Sequence, residues 1–166
     1  MPIHVRELHH AAVCVPVERA DEVVRFYQDV LGLVADPSRP QMADVPGAWL
    51  WVGPERTTQI HVIGVEYDDR PDACAAPQDE DPRRPHLALA VDDIGQTKEE
   101  LERHNVAFWA RDLAPNRTFV FLRDPAGNMV ELHQSDSCTC NAGTAGTTSA
   151  MSSASTAASV GGATSM

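Results

Sequence analysis

His10-Ala11-Ala12-Val13-Cys14-Val15 and His86-Leu87-Ala88-Leu89-Ala90-Val91 open two passages that run through the same succession of patterns. Each is an alternating, strand-like run led by histidine. Each is followed by a stretch with helical three-to-four spacing and then by further strand-like runs, one of which holds a second metal-capable side chain. In the first passage that side chain is His61, within Gln59-Ile60-His61-Val62; in the second it is Glu131, within Met129-Val130-Glu131-Leu132. His61 follows His10 by 51 residues and Glu131 follows His86 by 45. Trp49-Leu50-Trp51-Val52-Gly53-Pro54 stands where Phe119-Val120-Phe121-Leu122-Arg123-Asp124-Pro125 stands in the second passage. Internal self-similarity of this kind marks a repeated supersecondary unit. Here it carries four candidate ligands to matching places.

The pattern predicts strands over 8–15, 47–52 and 58–65 in the first unit, with a helix from Ala20 to Leu31 whose inward face is Val23, Tyr27, Val30 and Leu31 and whose stop is Gly32. In the second unit it predicts strands over 86–91, 107–110, 117–123 and 129–133. The helix between them starts at an Asp93 N-cap, has Gln96 in the capping-box position, turns Ile94 and Leu101 inward, and runs to about His104. Residues 66–85, rich in Asp and Pro, read as a connection between two modules, 6–65 and 86–134, because a structureless loop of that length inside one compact unit is uncommon. From Ser135 on, Ser, Thr, Ala and Gly make up 25 of the last 32 residues, with Asp136 the only charge. Such a segment buries too little apolar surface to offset its ordering entropy, so the domain is expected to span 1–134 and 135–166 to be a disordered tail.

With 166 residues, 43% hydrophobic and 22% charged, the chain is long enough for one domain with a real core. A net charge of −11 argues against a nucleic-acid surface, which needs clustered Lys and Arg. No apolar run has the length of a membrane span, and the start of the chain has no apolar signal core, so a cytoplasmic protein without a membrane partner is expected. Four cysteines at scattered positions give no disulfide framework. Cys14 reads as a small buried hydrophobe, and Cys138-Thr139-Cys140 in the polar tail is a weak metal signal.

Alternate residues of a strand share a face. His10, Ala12 and Cys14 therefore oppose Ala11, Val13 and Val15, and His86, Ala88 and Ala90 oppose Leu87, Leu89 and Val91. The bulky faces suit packing under helices, which leaves the small-residue, histidine-bearing faces to line a concavity. Neutral imidazoles with a carboxylate are a suitable set for a catalytic divalent metal with open coordination positions. A lone strand histidine is more often structural, but four such groups at corresponding points of a repeat make a different case. Glu131, between Val130 and Leu132, needs a partner if its strand is half-buried, because an unpaired buried carboxylate is costly. His133 is a candidate to donate to the ligands, whereas His4, His9 and His104 read as structural or surface groups, with His9 pointing opposite to His10. Trp49, Trp51, Phe119 and Phe121 are candidates for the wall of a substrate cup. Arg111, Arg117 and Arg123 are candidate anchors for an anionic substrate, although a solvated arginine is the simpler reading of each.

These residues resemble the vicinal oxygen chelate superfamily of glyoxalases, extradiol dioxygenases and bleomycin-resistance proteins. The motifs that carry the resemblance are His10 to Pro16, Phe26-Tyr27-Gln28-Asp29-Val30-Leu31-Gly32-Leu33, His86 to Asp93, and Asp124-Pro125-Ala126-Gly127-Asn128-Met129-Val130-Glu131-Leu132, together covering 8–134. The resemblance implies an α+β fold of two tandem βαβββ modules whose curled mixed sheets form a cup around one divalent transition metal (Fe, Ni, Co, Mn or Zn), and commonly a homodimer. Its metal positions fall on His10, His86 and Glu131, with His61 at the fourth, where glyoxalase I carries a glutamate able to act as ligand or base. It implies an enzyme, a lyase, isomerase or dioxygenase, whose metal chelates vicinal oxygens of a small-molecule substrate and stabilises an enolate-like or oxyanionic intermediate. In that reading His61 and Glu131 are the candidate catalytic groups. The alternative is a non-catalytic binding or sequestering protein that uses the same cup.

Overall fold

A computed structural model of the chain describes residues 2–66, 80–114 and 117–135. The first module consists of β1 (His10–Pro16), a 3-10 turn (Val17–Arg19), α1 (Ala20–Asp29), β2 (Val34–Ala35), β3 (Gly47–Val52) and β4 (Thr58–Val65). The second consists of β5 (Leu87–Val91), α2 (Ile94–Arg103), β6 (Phe108–Ala114), β7 (Arg117–Arg123) and β8 (Met129–Gln134). Each builds a four-stranded sheet of the same topology, β1-β4-β3-β2 and β5-β8-β7-β6. In both, the histidine strand runs parallel to the strand holding the second candidate ligand, which is antiparallel to the next. A parallel pair cannot close through a hairpin, and the intervening helix and strands provide the crossover. This is the two-module α+β architecture, with neither sheet closed into a barrel.

The repeat extends to register. Ala12 lies opposite His61, which lies opposite Trp49 on its other side. Ala88 lies opposite Glu131, which lies opposite Phe121. In both modules a small residue and an aromatic ring thus flank the candidate ligand.

The faces divide as alternation requires. Val13, Val15, Ile60, Val62 and Leu50 from the first sheet are buried in one core with Val120, Leu122, Val130 and Leu132 from the second. The helices cover that side: Val23, Phe26 and Tyr27 of α1 and Leu101 of α2 are buried, while Val30, Leu31 and Ile94 pack partly buried against them. On the other side Ala12, Ala88 and Ala90 are exposed. Cys14 differs from expectation: it is half-buried, because its face is the open one.

The helix ends follow local chemistry. α1 stops at a left-handed Gly32, φ +68°, a conformation glycine adopts without a Cβ penalty. Asp93 caps α2, its carboxylate accepting from the Gln96 backbone N–H at 2.8 Å. Asp93→Ala should cost about 1 kcal/mol, measured by urea unfolding, with the sheet signal unchanged. β3 begins at Gly47, φ +132°, where a Cβ would sit 2.0 Å from the carbonyl oxygen of Val62. β2 was not expected from the sequence, and β6 runs four residues past its expected end. The expected linker falls largely, and the tail almost wholly, outside the described residues. No helix among the described residues is long and apolar enough to cross a membrane.

The turn Asp124-Pro125-Ala126-Gly127-Asn128 joins the two modules. The buried Asp124 carboxylate accepts from the Asn128 backbone N–H at 2.9 Å and from Asn128 Nδ2 at 2.8 Å, which closes the turn between β7 and β8. The same group accepts from the Tyr27 hydroxyl of α1 at 3.3 Å, and Asn128 Nδ2 also reaches the Cys14 carbonyl of β1 at 3.5 Å. One carboxylate therefore organises a turn of the second module and ties it to the first.

Candidate metal centre

In the second module His86 and Glu131 meet: His86 Nε2 lies 3.2 Å from Glu131 Oε2, their side chains only 24% and 15% exposed. The other ring nitrogen, Nδ1, is 2.7 Å from the Arg84 carbonyl oxygen. A carbonyl only accepts, so Nδ1 carries a proton, and Nε2 is the nitrogen turned toward the carboxylate. An imidazole nitrogen and a carboxylate oxygen at that distance share a positive charge between them, either a proton or a metal ion. A backbone carbonyl orienting a histidine for ligation is a common arrangement in metal sites. Phe121, buried and in edge contact with the His86 ring at 6.0 Å, closes one side, and Trp109 stacks on Phe121 at 5.7 Å.

In the first module His10 and His61 stack face to face, centroids 4.1 Å apart and planes 6° apart, with Trp49 on the far side of His61 at 4.7 Å and 12°. His61 is buried, and its Nε2 lies 2.9 Å from Gln59 Oε1. Burial first, then the neighbouring His10, His9 and Arg39, hold the His61 imidazole below the usual histidine value, with Asp36 pulling the other way. It is therefore neutral near pH 7, the form that binds metals. His9 was expected to point away from His10, yet the two Nδ1 atoms are 2.9 Å apart, one donating and the other accepting.

The donor set, three imidazoles and a carboxylate, fits a divalent transition ion in kind. It forms two pairs rather than one cluster: among the described residues no three His, Cys, Asp or Glu side chains gather closely enough to hold an ion. His10 and His61 sit on one sheet, His86 and Glu131 on the other. The parallel His10 and His61 planes also require one ring to tilt before both can ligate a single ion.

Of the candidate wall residues, Trp49 and Phe121 contact candidate ligands directly. Phe119 faces His133 at 6.1 Å, and Trp51 is half-buried on the face of Trp49. His133 shares the face of Glu131, opposite Ala90, and its Nδ1 lies 3.3 Å from the Gln134 carbonyl rather than on a ligand. Arg117 begins β7, and its side chain lies outside the described residues. Arg111 is exposed, whereas Arg123 is half-buried, donates to the Gly127 carbonyl at 2.8 Å and lies over the Trp109 ring. Three contributors escaped the sequence reading: Trp109, Gln59 and Asp36. Gln59, a polar residue alternating with Ile60 on a buried strand, was the one legible signal among them.

A family model described as Glyoxalase/Bleomycin resistance protein/Dioxygenase superfamily matches residues 7–132. The chain belongs to that superfamily. A glyoxalase family protein from Bacillus anthracis superposes with a TM-score of 0.64 at 25% identity, over 81% of this chain and 98% of that one. Lactoylglutathione lyase from Agrobacterium tumefaciens gives 0.55 at 19%, over 78% and 93%. An antibiotic-binding protein from Streptomyces sp. CB03234 gives 0.54 at 22%, over 80% and 98%. No curated protein matches the chain significantly. The superfamily's description itself names enzymes and a resistance protein, and the last two likenesses establish the fold alone.

Proposed function

We propose that the chain is a metal-dependent enzyme of the glyoxalase and dioxygenase kind, acting on a small molecule with vicinal oxygens at a divalent-metal centre shared between two copies. The observation that carries the metal is the His86–Glu131 pair, an imidazole nitrogen and a carboxylate facing each other at 3.2 Å with the histidine already oriented by the Arg84 carbonyl. Two features favour a shared site. The ligands divide into pairs, one beside each of the edge strands β1 and β5. The arm leading into β1 leaves Ile3, Val5 and Leu8 exposed by 91%, 85% and 71%, apolar surface that a second copy would cover. A two-fold dimer joining the histidine edge of one chain to that of the other makes two equal sites, each with His10 and His61 from one copy and His86 and Glu131 from its partner.

When bound, the ion supplies a Lewis acid and a template for a substrate oxygen pair. The protein groups then have separate tasks. Trp49 and Phe121 wall the cup and exclude water, the small Ala12, Ala88 and Ala90 leave room for substrate, and the Glu131 carboxylate is the group able to take a proton. His61, held neutral and hydrogen-bonded, is suited to ligation or to proton transfer. The second reading, a binding protein using the same cup, has the structural likeness to the antibiotic-binding protein in its favour. Turnover by metal-loaded protein across hemithioacetals, catechols and epoxides separates the two.

A carboxylate at position 61 is the glyoxalase I pattern, and this chain has imidazole there. We therefore expect little isomerisation of the methylglyoxal–glutathione hemithioacetal by the wild type and a rise in His61→Glu, both loaded with the same metal and assayed in parallel. Efficient wild-type turnover would move the base to Glu131.

A further inference from the structure

Gln59 is buried, and its side-chain amide lies between two groups of opposite demand. On one side Gln59 Nε2 is 2.6 Å from Asp36 Oδ2. Asp36 lies just beyond β2, its backbone N–H held by the Trp49 carbonyl at 2.8 Å and its other carboxylate oxygen accepting from the Ser38 backbone N–H at 2.9 Å. The Ser38 backbone and hydroxyl keep the Asp36 carboxyl below its usual range, so at neutral pH it accepts and never donates. Gln59 must then turn its NH2 toward Asp36, which leaves its carbonyl oxygen facing His61 Nε2 at 2.9 Å. A carbonyl oxygen bonds only to a donor, so Nε2 must be the protonated nitrogen.

We propose that Asp36, Gln59 and His61 form a hydrogen-bonded chain of fixed polarity that locks the His61 imidazole as its Nε2–H tautomer and leaves Nδ1 as the only nitrogen able to bind a metal ion. This rests on the metal-site reading for its consequence, though not for the tautomer. Gln59 is thus a positioning residue, acting through His61. The chain also assigns His61 a role: with Nε2 occupied, the only basic nitrogen of the ring is the one committed to the ion, so His61 serves as a ligand and not as a free base. The mirror arrangement holds in the second module, where the Arg84 carbonyl accepts from the Nδ1–H of His86 and Nε2 is turned to Glu131. The two modules would then present opposite imidazole nitrogens to one ion.

The test is nitrogen NMR of full-length protein carrying 15N-histidine, first free of metal and then loaded with 113Cd. In the metal-free wild type above the His61 titration, Nε2 should carry the proton and Nδ1 should not, as a single tautomer. Gln59→Leu, similar in volume, should convert this into an exchanging mixture and weaken Cd2+ binding by roughly 10- to 100-fold. Asp36→Asn, which frees the amide to turn over, should also release the lock, and it provides a surface-side variant should the buried one misfold. A proton on Nδ1 in the wild type, or a locked Nε2–H tautomer persisting in both variants, overturns the proposal. In the cadmium sample, coupling to His61 Nδ1 and His86 Nε2 supports it. Coupling to His86 together with His61 Nε2 overturns it while leaving the metal site standing. Absence of coupling to every histidine instead removes the metal reading, and the metal-free spectrum alone then decides the tautomer.

Discussion

Replacing His86 or Glu131 with alanine is expected to reduce bound metal from about one divalent transition ion per chain to a small residue, because each change removes both a bond and half of the pair that defines the site. The two should not be equivalent in the metal-free state. His86→Ala leaves Glu131 as a carboxylate of low exposure without its partner, which is costly, whereas Glu131→Ala leaves an imidazole still bonded to the Arg84 carbonyl. His86→Ala should therefore lose more stability of the two. Elemental analysis of both variants, with Asp93→Ala as a remote control, measures the first effect, and urea unfolding of the metal-free proteins measures the second. Undiminished metal in both would remove these residues from the site.

The second large effect is expected at Asp124, remote from the cup. Asp124→Ala takes the acceptor from the Asn128 backbone N–H and the Tyr27 hydroxyl, and leaves the Asn128 amide only its longer bond to the Cys14 carbonyl. Leaving one buried and one half-buried donor unpaired should cost roughly 2–4 kcal/mol, a fall in Tm on the order of 10 °C. The pH dependence has a definite sign. Burial raises the Asp124 pKa against the opposing hydrogen bonds from Asn128, Ala126 and Tyr27, so the folded state retains this proton to higher pH than the unfolded chain. Its contribution to stability is complete below the ordinary carboxylate value of 3.8 and is lost as pH rises through the raised one. Tyr27 behaves alike on the alkaline side: burial, then the Asp124 charge, push its phenol well above 10.0, so stability falls again beyond that pH. Tyr27→Phe should flatten the alkaline limb and Asp124→Asn the acidic one, as read by denaturant midpoints across pH.

What the sequence disclosed and what it withheld divide along physical lines. The strands from 47 to 52 and 58 to 65, the inward face of α1 and the Asp93 cap were legible because each rests on a local rule of periodicity or hydrogen bonding. β2 escaped because two residues paired to β3 carry no pattern. The end of β6 escaped because Arg111 and Asp112 interrupt its apolar alternation, although Arg111 still pairs with Phe119. The ligand pairs within each module were legible from the repeat. That the two pairs stay apart within one chain was not, since the placing of one module against the other is set by their shared core and by contacts such as Tyr27 with Asp124, 97 residues apart. The Asp36–Gln59–His61 chain was hidden for the same reason: a glutamine alternating with apolar residues signals a buried polar contact, but its partner 23 residues away is brought to it only by the fold.

Complementation between two defective chains tests the shared centre most directly. One chain carries His10→Ala and His61→Ala, the other His86→Ala and Glu131→Ala, each with its own affinity tag so that the mixed dimer is isolated. Neither homodimer should hold metal. If each site draws one pair from each copy, the mixed dimer regains one intact site and should bind about one ion, half the wild-type complement, measured by elemental analysis and native mass spectrometry. A mixed dimer as empty as its parents, or a wild type that binds its full complement of metal as a monomer, would contradict the account.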